Sequence, residues 1–359
     1  MTSTNTTGPT TKTIAVYGAT GHTGGYLLAE LRRRDITPVL VGRNADRIRT
    51  AATAAGLPGA EVQVADLTDH AALVAAFSDT DAVISSLPAY VNHGPAVLAA
   101  AIDAGAHYTD MSGEQLFLKR VFEEFGPRAE AAGVSVVSGI TDSNLPGDLL
   151  GYLTTRQAAG PAEVVVSHLS KSGGHGSKGS AKTVFASLDW FRSGGWHYAD
   201  GTLRTGATAR HGKMMFPGDT QPTAVAKFPQ PPVLTIPRHS DVSYVEGVLA
   251  TSILDTLSGF TADIIDSLPD APSADLHYDL VVDAFGADGR NVRGVVRGVD
   301  SYRDSALMAV ETAVRLTEGA TRPGALAAAE AFDAADFLDA LAPFGITWHI
   351  EADRAGIVE

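Results

Sequence analysis

Three glycines spaced three apart, Gly18, Gly21 and Gly24 in the run GATGHTGGYLL, follow the apolar segment TIAVY and precede residues at helical spacing. At such a corner Gly18 can take the tight turn that ends the strand. Gly21 lets the backbone approach a pyrophosphate, and Gly24 lets the next helix pack closely on the strand. The unpaired N–H groups and the positive dipole end of that helix would attract the phosphate. Thr20 and Thr23 add hydroxyl donors, and His22 stands between them. Glycine turns between strand and helix are common as plain structure, so the flanking elements decide what this one is for.

Those elements fit a nucleotide fold. From 13 to 140 the short β-branched runs TIAVYG, TPVLVGR, EVQVAD, DAVISSL, HYTDM and VSVVSG alternate with longer helical patterns such as GGYLLAELRRR and GPAVLAAAIDAG. Strict alternation of strand and helix implies a parallel sheet covered on both faces, and six strands complete a doubly wound dinucleotide fold. After Pro146 the style changes. EVVVSHLS is a strand running into the loop KSGGHGSKGS, and AKTVFASLDWFRSGG reads as a helix. Asp200-Gly201 and Asp288-Gly289 mark tight hairpins. The proline-rich FPGDTQPTAVAKFPQPPVLTIP reads as an extended loop over that sheet.

The expected fold class is α/β, a Rossmann-type doubly wound parallel sheet, with a second α+β domain of antiparallel or mixed sheet. Residues 1–12 read as a disordered tail. Residues 13–154 with 301–359 form the nucleotide domain, whose C-terminal helices return to it, and 155–300 form the substrate or dimerisation domain.

Composition bounds the function. With 359 residues, 45% hydrophobic and 19% charged, the chain has the makeup of an ordinary globular protein. A net charge of −14 argues against a nucleic-acid partner, whose phosphates need cations. There are no cysteines, which removes disulfides, thiolate metal sites and a cysteine nucleophile. No apolar run approaches a membrane span and no signal peptide is recognisable, so the expectation is a soluble, cytoplasmic protein with no membrane partner.

The second strand ends in Gly42 and Arg43, nineteen residues after Gly24, where an acid would hold the ribose hydroxyls of NAD. An arginine there can grip a 2′-phosphate, so NADP(H) is favoured over NAD(H). The blander reading of Arg43 is a solvated loop cation. Asp66, after the third strand, is placed to accept from the adenine amino group, and equally to cap a helix. Ser85, Ser86, Leu87 and Pro88 end the fourth strand, where the nicotinamide half should lie.

These residues resemble the saccharopine dehydrogenase-like oxidoreductases. The matching text is GATGHTGGYLLAELRRRDITPVLVGRNADRI, SSLPAYVNHGPAVLAAAIDAGAHYTDMSGE and GITDSNLPGDLLGYL, with a moderate likeness in TRPGALAAAEAFDAADFLDALAPFGITW. The resemblance is thin from about 155 to 300. It implies a pyridine-nucleotide reductase whose C-terminal helix returns to the first domain. Members of that shape include saccharopine reductases, imine-forming or imine-reducing enzymes and trans-acting enoyl reductases.

A bound nicotinamide needs orientation, a closed site and a proton donor at most. No Tyr-x-x-x-Lys occurs, which argues against the short-chain dehydrogenase mechanism. His93 and Tyr108 are candidate catalytic residues near the pocket mouth, with a helix-cap histidine and a core tyrosine as the equal alternatives. Lys171 and His175, in the glycine-rich loop, are candidate proton donors or carboxylate anchors, and Lys178 and Lys182 read as solvated. His168, His175, His197 and His211 make no metal spacing, so no metal is expected. The expected activity is NADPH-dependent reduction of a C=N or activated C=C bond in a small metabolite. The rival is a non-catalytic NADP-binding sensor or scaffold. A homodimer through the second domain's sheet is the default assembly.

Overall fold

The computed structural model describes residues 12–170, 176–206, 208–259, 261–269, 277–319 and 321–352. Its first sheet is parallel and begins with β1 (Ile14–Tyr17), β2 (Val39–Gly42), β3 (Glu61–Val64), β4 (Ala82–Ser85), β5 (His107–Asp110) and β6 (Ser135–Val137). All four residues of β1 and of β4 are buried, as expected of strands covered on both faces. The helices α1 (His22–Arg33), α2 (Ala45–Ala54), α3 (His70–Phe77) and α4 (Tyr90–Asp103) make the covers between them. β1 pairs with β2 on one side and with β4 on the other. The strand order therefore reverses at β1, with β2 and β3 on one side and β4 to β6 on the other, and a crevice opens at the carboxyl ends of β1 and β4.

Helix α5 (Asn144–Thr155) leads into the second sheet. Its strands are β7 (Ala162–Ser170), β8 (His197–Ala199), β9 (Thr202–Arg204), β10 (Lys213–Met214), β11 (Thr223–Lys227), β12 (Val242–Ala250), β13 (Tyr278–Phe285) and β14 (Asn291–Gly298). The sheet is mixed: β7 runs parallel to β12 and antiparallel to β13. Its inner face, with Val164, Val166, Val245 and Val282, joins the core of the first domain. Its outer face packs Val165, Val248, Val281 and Val295 under Met214 and Phe216. Asp200 and Gly201 both take positive φ, +47° and +83°, in the tight turn between β8 and β9.

From the second sheet α6 (Lys178–Ala186) projects, and after β14 the chain returns through α7 (Ser301–Leu316), which packs along α1 and against β4 and β5. β15 (Gly324–Ala325) then extends the first sheet beside β6. The closing strand β16 (Thr347–Ala352) departs from the expected division, which placed all of 301–359 in the nucleotide domain. It pairs with β14 across Val292–Arg297 and belongs to the second sheet, because β14 otherwise presents an open edge. The proline-rich segment is likewise not a loop throughout. Its TAVAK is β11, bonded to Val248–Ala250, and the prolines flank the strand without interrupting its ladder.

Candidate functional site

At the crevice each glycine of the corner has a different job. Gly18 sits at φ +97°, and a side chain there would run into the Ser86 carbonyl. At Gly24 a Cβ would lie 2.6 Å from the Ala19 carbonyl oxygen, so this glycine lets α1 press on the turn. Gly21 is exposed, and a Cβ there would meet only Gly18 O, at 3.6 Å. Packing within the protein explains the first two glycines, whereas the bare Gly21 keeps open the approach to α1. That helix starts on Gly21 with no side-chain cap and no acid in its first turn. Its first amides lack intrahelical partners and match a diphosphate.

The neighbouring side chains divide. The Thr20 side chain is exposed and that of Thr23 half-buried. His22 turns its ring edge-on to Tyr26 and Tyr302, with centroids 5.3 and 5.2 Å away. Burial lowers its imidazole below the ordinary value, against the pull of Asp300. At the end of β2 Gly42 accommodates Ile48, whose Cδ1 would lie 3.3 Å from an added Cβ. Arg43 is exposed. Asp66 does not cap a helix: Oδ1 accepts from the Thr68 amide (3.0 Å) and hydroxyl (2.8 Å), while Asp69 caps α3. Those Thr68 bonds, with a smaller contribution from Arg43, lower its carboxyl below the ordinary range.

Comparison with known proteins bears on the domain that holds this crevice. Residues 14–137 match the model of the saccharopine dehydrogenase NADP binding domain. This part of the chain is such a domain, and its cofactor is NADP. A lipid droplet localized protein of Caenorhabditis elegans is 30% identical over 146 residues, 38% of this chain and 34% of that one. A trans-acting enoyl reductase of Mycobacterium ulcerans is 27% identical over 150 residues, 41% of this chain and 36% of that one. The match thus spans about a third of these relatives. Apo saccharopine dehydrogenase (L-Glu forming) from Saccharomyces cerevisiae superposes over 95% of this chain and 99% of its own with a TM-score of 0.59. At 14% identity that likeness establishes a shared fold.

In the NADP-binding domain, the residues after β4 form a wired loop. Ser85 is buried, Ser86 donates its amide to Tyr17 O (2.8 Å), Leu87 donates to the Tyr90 hydroxyl (3.1 Å), and Pro88 O faces His93 Nδ1 at 2.9 Å. Tyr90 in turn donates to Ser85 O at 2.7 Å. Ala89 takes φ +52°, a strained conformation for alanine, and its amide donates to Thr183 Oγ1 of α6. At its other end α6 is tied to Tyr302: the Ser177 amide donates to the Tyr302 hydroxyl at 2.6 Å. Since Tyr302 also touches His22, α6 reaches from the glycine corner to the β4 loop and roofs the crevice.

Of the four expected catalytic residues, His93 is exposed on α4 and serves the Pro88 carbonyl. Tyr108 lies in the core and not at the pocket mouth, because the middle of β5 is flanked by β4 and β6. Burial, and then the charge of Asp110, push its hydroxyl well above the usual value. Lys171 and His175 lie outside the described residues. Sequence reasoning passed over Glu114, whose buried Oε2 accepts from the Val91 amide (2.7 Å) and caps the start of α4. Burial raises its carboxyl to about 7, against the pull of that amide. It also weighed His168 only as a metal ligand. On β7 that residue follows Val164 and Val166 at every second position and so faces the first domain with them. The signal was present in EVVVSHLS, a histidine in phase with the inward valines, but the unbroken apolar run hid which face was inner. Among the described residues no group of three or more metal-ligating side chains could hold an ion, and no helix is long and apolar enough to cross a membrane.

Proposed function

We propose that this chain is an NADPH-dependent reductase of a small metabolite, acting on a C=N or an activated C=C bond. The observation that carries the reading is the uncapped start of α1 behind the bare Gly21, set at the sheet's switch point and roofed by a helix of the second domain. Bound NADPH would supply a hydride at the carboxyl ends of β4 and β5. The chain's own part is to hold the diphosphate on α1, to grip the 2′-phosphate with Arg43 and to exclude water beneath α6. Thr20, Thr23 and the Ser85–Pro88 segment fall along the same crevice and are proposed to line it, with Asp66 toward the adenine.

Mixing the protein with NADPH and a panel of imines, enoyl thioesters and unsaturated ketones, and following the absorbance of reduced nicotinamide, tests the reading. Oxidation that depends on one substrate class is the expected result. Tight binding without oxidation across the panel would instead assign a sensor or scaffold.

A further inference from the structure

We infer that His168, oriented by Asp142, delivers the proton that completes the reduction; this rests on the reductase reading above. The two residues come from different domains. His168 lies on the inner face of β7, and Asp142 follows β6 at the carboxyl edge of the first sheet. Their Nε2 and Oδ2 atoms are 3.0 Å apart, with side-chain exposures of 20% and 14%. The pair is thus partly open and not sealed in either core.

Its position relative to the cofactor follows from α7. The Asp142 amide donates to Ser305 Oγ at 2.9 Å. Tyr302, three residues earlier on that helix, packs on His22 of the glycine corner. One turn of α7, about 5 Å of rise, therefore separates the contact to the phosphate cradle from the contact to the pair. The Tyr278 ring, 5.4 Å from the imidazole centroid, backs His168 from β13.

The chemistry follows from which nitrogen is engaged. The Asp142 carboxylate accepts from Nε2–H and favours that tautomer, so the proton free to leave an imidazolium is the one on Nδ1. Nδ1 has no hydrogen bond among the described residues. In the step, hydride forms a new C–H bond at one atom of the double bond and NADPH becomes NADP+. The π pair moves to the other atom, which takes the proton from Nδ1. Neutral His168 keeps Nε2–H on Asp142 and is reprotonated from solvent. Tyr90 and Tyr108 are buried, and Glu114 is buried with Oε2 engaged on Val91.

His168→Gln, His168→Ala and Asp142→Asn test this. With a substrate found in the panel above, His168→Gln is expected to lower kcat roughly 10²–10⁴-fold while NADPH affinity, read by fluorescence, stays within threefold. Added imidazole should restore part of the turnover of His168→Ala. Independently of activity, ¹⁵N spectra of the histidines should show neutral His168 as the Nε2–H tautomer, becoming a mixture in Asp142→Asn. Turnover of His168→Gln within threefold of wild type, or a His168 Nδ1–H tautomer, overturns the assignment and leaves the reductase reading standing. No oxidation of bound NADPH by any substrate overturns that reading, and this proposal with it.

Discussion

Two histidine–aspartate pairs in this molecule have nearly the same geometry and opposite surroundings. His168 and Asp142 meet at 3.0 Å where the domains face each other, with exposures of 20% and 14%. His239 and Asp148 meet at 2.8 Å with exposures of 6% and 3%. The sealed pair is fully committed to the fold: Asp148 Oδ2 also accepts from the Ala329 amide, tying α5 to the chain after β15. Burial alone would lower the His239 imidazole, but the Asp148 charge outweighs it and the net shift is upward. Burial likewise would raise Asp148, and the His239 charge brings it below its ordinary value. Contact geometry therefore does not tell a structural pair from a working one. Access to solvent and the partners of the remaining polar atoms do.

Breaking the sealed pair should have the largest effect on stability. Asp148→Ala leaves a buried imidazole and an unpaired Ala329 amide, and should cost about 3–5 kcal/mol in denaturant unfolding. Asp142→Ala, at the open pair, should cost under about 1 kcal/mol. Equal losses would erase the distinction. The sealed pair also has a pH signature. The raised His239 contributes stability that is full below 6.5 and fades as pH rises through its folded value. The lowered Asp148 contributes stability that is full above 3.8 and fades as pH falls through its folded value. The pair's contribution should therefore peak between those two values, and the difference between wild type and Asp148→Ala should narrow on either side.

Smaller effects extend the contrast to single charges. Arg293 is sealed on the outer face of the second sheet in a bidentate bond to Asp283, at 2.6 and 2.7 Å, whereas Arg43 is exposed just after β2. Arg43→Ala should weaken NADPH binding by about 2 kcal/mol, the value of a charge-assisted hydrogen bond, and leave NADH nearly unchanged. Equal weakening of both in calorimetry would deny Arg43 the 2′-phosphate.

Glu114 is the sealed counterpart of the exposed Asp66. Its carboxyl, raised to about 7, binds a proton more tightly in the folded chain than in the unfolded one. Its contribution is full below its ordinary value of 4.5 and is lost as pH rises through about 7. Between pH 5 and 8 wild type should lose about 2 kcal/mol relative to Glu114→Gln. Parallel stability curves for the two proteins would contradict the raised value.

The sequence by itself determined the six strands β1 to β6 and the glycine corner. Each depends on residues close in the chain: a β-branched run buried on both faces, then a turn whose φ and packing demand glycine at 18 and 24. Only the tertiary structure decided which histidines meet which carboxylates, that β16 closes the second sheet, and that α6 lies over the crevice. Asp142, in the turn after β6, and His168, on β7, are 26 residues apart, and His239 and Asp148 are 91 apart. No local period records such meetings, because they are fixed by how two sheets pack, and that is set by summed burial over both cores and not by any short stretch of residues.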